Sequence, residues 1–385
     1  MKLFKAVFNA VFCFAVFAVL LVFGCFYLYN RDIESGAVVV EESNITEPPE
    51  QISAAQSAAE TEPYQSDEST DDNISEEESS GFTISFTVLG DCILSSNDGD
   101  TREDTFIETA KSQSNYYFFE KAKPYYKNSD FVLANCEFVM SDSTLSKSDK
   151  DGTAFWFKSP TSFASILRCG GIDLVTLANN HTYDYGEQGY VDTKNALESE
   201  NITWGDLNNP IYVEKNGITF GIICTNLSTE NYDPMVTPVI EEVVENSDVQ
   251  ILYFHGGTEK EYTPEDWLVN LCHKYADMGV DLIVGSHPHV LRPCEEYNGT
   301  DIFYSLGNFC YGANRTPENR TIILTETFSF DADGSYIGSD EEIIPFYIYT
   351  GETNNWQPAP IEDEDEKAAV YNFMYTGVWE DSKSE

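Results

Sequence analysis

Hydrophobic and polar positions divide the chain into three textures. Residues 6–29 (AVFNAVFCFAVFAVLLVFGCFYLY) carry no charge and follow Lys2 and Lys5. At about 1.5 Å per residue, a helix of that length crosses the roughly 30 Å hydrocarbon core of a bilayer. Lysines before the run and acidic residues after it place residues 1–5 in the cytoplasm and everything downstream outside. The pattern predicts an uncleaved single-pass anchor in membrane lipid. An ordinary signal peptide is the alternative, but the run exceeds the usual apolar region and shows no small-x-small cleavage pattern. Val22-Phe23-Gly24-Cys25 leaves a lipoprotein as a minor alternative.

Residues 30–80 read as an acidic disordered linker. Between 41 and 80 there are 13 Asp or Glu and no Lys or Arg, among Ser, Thr, Pro and Ala. Such a stretch buries too little apolar surface to offset its chain entropy and extends by self-repulsion.

From Gly81 onward the texture is that of a folded domain, expected over 81–350. Phe82–Leu89 alternates and is rich in β-branched and aromatic residues, which predicts a strand. Further short apolar runs predict strands at Phe131–Ala134, Asp173–Ala178, Ile218–Cys224, Val249–Phe254, Asp281–Val284 and Asp301–Tyr304. Helix-like stretches lie between them at Ser162–Arg168, Glu187–Glu198 and Pro264–Met278. In the last, Trp267, Leu268, Leu271, Tyr275 and Met278 share one side. Thr321–Tyr349 reads as a late β-hairpin turning at Asp333-Gly334. Strands alternating with helices predict an α/β or mixed α+β domain. Residues 351–385, with Glu362–Lys367 (EDEDEK), form an acidic, exposed C-terminal extension.

Charge narrows the partners. The chain has 66 Asp plus Glu against 21 Lys plus Arg, a net charge of −45. Nucleic-acid binding needs clustered cations, so that class is excluded. Beyond residue 80 there remain 51 acidic against 18 basic residues. A long polyanion therefore needs local cations to lie along this surface, although a chain end can still reach a metal. Of nine cysteines, Cys13 and Cys25 fall in the apolar run, leaving an odd seven. Cys169, Cys224 and Cys272 sit in apolar runs and read as buried free thiols. The absence of any CxxC pair excludes a zinc ribbon.

The candidate chemistry lies just after the strands. The first ends in Gly90-Asp91, the second in Asn135-Cys136-Glu137, the third in Asn179-Asn180-His181. Later strands end in His255-Gly256-Gly257 and in Gly285-Ser286-His287-Pro288-His289. In α/β sheets the carboxyl ends of strands are where ligands bind. Imidazole with carboxylate and amide oxygen suits a borderline divalent ion such as Zn, Mn or Fe. Two histidines at i and i+2 can reach two neighbouring ions. Such a pair can bind a phosphate ester and stabilise both attacking and leaving oxygens, and an unligated histidine can supply a proton. His273, in mid-helix, receives no role.

These segments carry a resemblance. The set Gly90–Leu94, Ala134–Glu137, Ala178–His181 with Asp184 and Gly186, His255–Glu259, Ser286–Val290 and Tyr304–Phe309 (YSLGNF) resembles the CapA family of poly-γ-glutamate capsule-synthesis proteins. The YSLGNF segment serves as a family marker with little chemistry of its own. The resemblance implies a four-layer α/β/β/α sandwich like the calcineurin-like metallophosphoesterases, with the metal site at one edge. It implies Asp91 and Glu137 as carboxylate ligands, Glu137 bridging. It implies Asn180, His255 and His287 on one ion, His289 on the other, and His181 as proton donor. Asn135, Asp184 and Glu259 would orient the histidines. Ile93 stands where metallophosphoesterases place a histidine, and Glu137 where they place Asp, which leaves room for a single-ion site. Gly256 and Lys260 replace a common Trp and Tyr and would open the rim of the pocket.

Two functions follow. One is a metal-dependent hydrolase with one or two divalent transition-metal ions, acting outside the membrane on a capsule or other envelope polymer. The alternative is a non-catalytic factor for assembling, exporting or anchoring such a polymer within a capsule-synthesis complex. The retained His181 favours the first and the family name the second.

Overall fold

A computed structural model describes residues 81–150, 154–312 and 318–379. The expectations for the anchor, the acidic linker and the last six residues lie outside these. No helix among the described residues is long and apolar enough to cross a membrane.

The chain opens with strand β1 (Phe82–Cys92), a short helix α1 (Phe106–Ala110) and β2 (Phe131–Cys136). The small strands β3 (Val139–Met140) and β4 (Lys158–Ser159) pair with each other. Next come α2 (Ala164–Gly170), β5 (Leu174–Thr176), α3 (Gly186–Ser199) and β6 (Thr203–Gly205). The middle holds β7 (Ile211–Lys215), β8 (Ile218–Leu227), α4 (Asp233–Asn246), β9 (Val249–Gly256), α5 (Asp266–Asp277) and β10 (Leu282–Ser286). The rest is β11 (Leu291–Tyr297), β12 (Thr300–Leu306), β13 (Asn308–Cys310), β14 (Arg320–Phe330), β15 (Tyr336–Tyr347), β16 (Ala359–Pro360) and α6 (Glu364–Thr376).

The fold is mixed α/β. One sheet runs β16-β15-β14-β1-β2-β5-β6, with β13 also on β1; the other runs β11-β12-β10-β9-β8-β7. The strands β1, β2, β5 and β6 are parallel in the first, and β8, β9, β10 and β12 in the second. The later strand β14 adds antiparallel to β1, and β15 antiparallel to β14.

Alternation along the strands sorts side chains into separate cores. Ile84, Phe86 and Val88 of β1 share a core with Phe220, Ile222, Ile251, Tyr253 and Phe303 of the second sheet. Leu89 and Cys92 of the same strand, with Ile166, Leu167 and Leu197, join a second core shared with helices α2 and α3. A third joins Ile223, Leu252 and Ile283 to Val236, Ile240, Leu268 and Tyr275 of α4 and α5. Each fully buried Phe or Leu contributes about 1.5–3 kcal/mol relative to exposure.

All seven expected strands, the late hairpin and the three expected helices are present. Helix α4, which carries Pro234 and Pro238, was not among the expected helices. Pro234 sits in the first turn, where no N–H bond is lost, and burial of Val236, Ile240 and Val243 carries the rest. Helix α6 lies in the acidic C-terminal region. Its first turn is acidic and its start is capped by Asp363, while Val370, Phe373 and Met374 enter the inter-sheet core. The seven described cysteines are all free thiols, five of them buried.

Candidate metal centre

Parallel strands bring their carboxyl ends to one edge, and the candidate residues follow. Asp91 ends β1, Glu137 follows β2, Asn180 and His181 follow β5, His255 lies near the end of β9, and His287 and His289 follow β10. Gly90 permits the close approach beneath the site: a Cβ there would run into the Gly307 carbonyl, which Asp91 N–H reaches at 3.0 Å. His287 and His289 adopt positive φ, 98° and 57°, on either side of Pro288. Backbone of that kind costs on the order of 1–3 kcal/mol per residue and concentrates at functional sites.

Two overlapping sets of ligand atoms lie within 4.8 Å of one another: Asp91, Glu137 and His255, and Glu137, His287 and His289. Glu137 belongs to both. The resemblance implied His287 with His255 and His289 apart; here His287 groups with His289 as well as lying 3.0 Å from His255 (Nδ1 to Nε2). Asn180 Oδ1 joins them, 2.8 Å from His255 Nε2.

Surrounding amides hold this arrangement. Asn135 donates from Nδ2 to Asp91 Oδ1 at 2.7 Å and lies 3.0 Å from His255 Nδ1. Its Oδ1 accepts from Asn179 Nδ2 at 3.0 Å, which fixes the amide's orientation. Ser286 Oγ lies 3.1 Å from His255 Nδ1 and Asn308 Oδ1 lies 2.9 Å from His289 Nδ1. His181 Nδ1 meets Asp184 Oδ2 at 2.8 Å, while its Nε2 faces Glu137 Oε1 at 3.8 Å. Asp184 also accepts from Phe157 N–H and pairs with Lys150, whose Nζ is 3.3 Å from His181 Nδ1.

The electrostatics show what the cluster lacks. Glu137 is fully buried, and neither of its carboxylate oxygens has a hydrogen-bond partner among the described residues. Burial, then the nearby Asp91 charge, pushes its carboxyl well above the usual range. Burial would raise Asp91 too, but His289 and His255 outweigh it and hold that group low. Burial opposes charge on His289, yet Glu137 and Asp91 lift it to about 10. Burial and the His289 charge push His287 down to about 4. His255 and His181 are lowered, chiefly by burial. A divalent cation would satisfy the acceptors that no donor reaches, so the donor set fits an ion.

Glu259 does not hydrogen-bond any histidine. It is exposed in the loop after β9, and only its charge bears on His287 and His289. Nor does Gly256 open a rim: it is buried, and a Cβ would run into the Leu227 carbonyl. Sequence reasoning missed Ser286, Asn179, Lys150 and Asn308. Ser286 and Asn179 lie inside the strand-end motifs, and Asn308 inside a segment credited with little chemistry of its own. Arg292 was also missed. Fully buried, it donates to Glu261 O at 2.8 Å and Thr258 O at 3.1 Å and pairs with Glu265 at 2.9 Å, fixing the loop beside the site.

A mixed α/β protein with a histidine–carboxylate cluster at the strand ends is thus a candidate metalloprotein. Residues 85–313 match the family model described as bacterial capsule synthesis protein PGA_cap, and the chain belongs to that family. It is 28% identical over 302 residues to the PGA biosynthesis protein CapA of Bacillus subtilis (strain 168), covering 72% of this chain and 76% of that one. It is 26% identical over 288 residues to the capsule biosynthesis protein CapA of Bacillus anthracis, covering 67% of this chain and 66% of that one. A crystal structure of a hypothetical protein from Thermus thermophilus aligns with a TM-score of 0.42 at 14% identity, over 68% of this chain and 99% of that one.

Proposed function

We propose that this chain is a metal-dependent hydrolase acting on a capsule polymer, poly-γ-glutamate or a related envelope polymer, held outside the membrane by residues 6–29. The observation that carries the hydrolase reading is Glu137, buried, without a donor, and shared by two overlapping ligand sets. The three cores support the layer order helices, sheet, sheet, helices, the α/β/β/α arrangement of calcineurin-like metallophosphoesterases.

Asp91, Glu137, Asn180, His255, His287 and His289 would hold one or two divalent ions. Nitrogen with oxygen ligands favours Mn, Zn or Fe over Ca or Mg. When bound, such an ion stabilises charge developing on a phosphoester or amide oxygen and lowers the pKa of water. Asp184 fixes the His181 ring through Nδ1, which leaves Nε2 turned toward Glu137 to exchange a proton with the leaving group. Asn135 and Ser286 orient Asp91 and His255 from behind.

The test is elemental analysis of metal-reconstituted protein, then assays of phosphodiesterase, phosphatase and γ-glutamyl amide hydrolysis with His181→Ala and His289→Ala. One or two ions per chain and a rate loss of about 10²–10⁴ in His181→Ala at unchanged metal content are expected. Absence of metal sinks the reading. Bound metal with equal rates in all three proteins leaves the assembly, export or anchoring role.

A further inference from the structure

Away from this site, the inter-sheet core contains a group that its surroundings do not satisfy. Glu326 lies in β14 between Leu324 and Phe328 and shares their inward face. It is fully buried, and neither carboxylate oxygen has a hydrogen-bond partner among the described residues.

Strand register brings further carboxylates toward it. Glu326 stands opposite Glu341 of β15. On the other sheet, Asp301 of β12 is two residues from the buried Phe303, on the same face, and stands opposite Glu296 of β11. Directly opposed residues of antiparallel strands project from the same face, and like charges so placed destabilise the pair. Each sheet thus contributes one such pair to its inner face. Burial, then the Asp301 and Glu341 charges and the adjacent Asp301 carboxyl, push Glu326 up to about 8, against the Ser339 side chain. Burial and the surrounding carboxylates raise Asp301 to about 6. The arginines of the adjoining strands are engaged elsewhere, Arg320 with Glu366 and Arg292 with Glu265.

Helix α6 adjoins the same place. Tyr375 Oη donates to Glu341 Oε1 at 3.3 Å, and Cys294 Sγ to Met374 O at 3.4 Å. The four carboxylates offer oxygen alone, with no imidazole, and Cys294 is engaged with the helix. Oxygen-only ligands on partly flexible side chains select a hard ion that tolerates variable geometry. We propose that Glu326 and Asp301, completed by inward rotation of the exposed Glu296 and Glu341, bind a calcium ion where the two sheets meet the C-terminal helix.

The experiment is calcium binding by equilibrium dialysis, with thermal unfolding, on detergent-solubilised full chain stripped of metal. Wild type is compared with Glu326→Gln, Glu341→Gln and the double variant His287→Ala/His289→Ala. One calcium per chain is expected, with Kd on the order of 10⁻⁴–10⁻³ M as in extracellular modules. Glu326→Gln should weaken it at least about tenfold and Glu341→Gln less, with calcium raising Tm in wild type but not in Glu326→Gln; a tenfold change is about 1.4 kcal/mol. The double histidine variant should bind calcium as wild type does. The proposal is overturned if wild type binds none at about 5 mM, several times the expected Kd. It is overturned equally if Glu326→Gln binds undiminished, or if the histidine variant alone loses calcium. A Glu326→Gln chain that is simply more stable in chelator, with no calcium bound to wild type, means that Glu326 and Asp301 share a proton instead.

Discussion

Asn308 Oδ1 lies 2.9 Å from His289 Nδ1, while its own Nδ2 donates to Gly312 O at 3.0 Å. The second bond fixes which end of the amide faces the imidazole. His289 must therefore donate from Nδ1, which leaves Nε2 as the nitrogen that a metal ion would take in exchange for its proton. Asn308→Ala should weaken transition-metal affinity by about 10–100-fold, read by competition with a chromophoric chelator. Unchanged affinity would remove Asn308 from the site.

Glu137 predicts effects of opposite sign in metal-free and metal-loaded protein. Glu137→Gln removes a buried carboxyl without a donor, so the stripped protein should be as stable as wild type or more so. A metal at 100 times its Kd adds about 2.7 kcal/mol to wild-type stability, and the variant should lose most of that increment. Calorimetric scans with and without Mn²⁺ or Zn²⁺ measure both. A variant that gains as much Tm as wild type contradicts a ligand role.

Arg292 predicts a structural loss. Its guanidinium is fully buried and satisfies Glu265 and two loop carbonyls. Arg292→Met should cost about 3–5 kcal/mol, because the partners lose their donor. Burial opposes ionisation of Glu265, but its bonds to Arg292 and to Thr258 N–H hold it at about 2. That contribution is present above the ordinary glutamate range and lost as pH falls toward about 2. The difference in urea midpoint between wild type and variant should therefore shrink in acid.

Glu326 has the opposite sign. Its folded pKa is raised, from 4.5 to about 8, so it favours the folded state below the ordinary glutamate range and ceases to as pH rises through about 8. In chelator, wild type should fall behind Glu326→Gln between about pH 5 and 9, by on the order of 1–3 kcal/mol. A pH-independent difference in urea midpoints would show that burial leaves this carboxyl unperturbed.

Much of the molecule was legible because strand ends and hydrophobic alternation are local signals. Asp91, Glu137, Asn180, His255 and the two histidines of the HPH turn each followed a recognisable apolar run, so a shared edge could be read before any geometry. Asn308 was not legible, since its role depends on meeting His289 across a gap in sequence, and an Asn after Gly looks like turn chemistry. Glu259 misled for the converse reason: closeness in sequence to His255 did not bring its side chain inward. Helix α4 was not expected, and the cost of its two prolines depends on their position in the turn. Glu326 could have been noticed, because a glutamate alternating with Ile322, Leu324 and Phe328 breaks an inward-facing pattern.

The order of strands in the first sheet has a bearing on how the chain is made. β1 is the first described strand, yet its antiparallel neighbour β14 is among the last, and α6 adds Val370, Phe373 and Met374 to the same core later still. As the polypeptide emerges from its N-terminal end, β1 can pair with β2 but keeps one edge open until nearly all of the domain has emerged. Long-range closure of that kind is slow. A nascent chain arrested before β14 would expose both an apolar face and an unpaired edge, the features that chaperones hold and that promote aggregation.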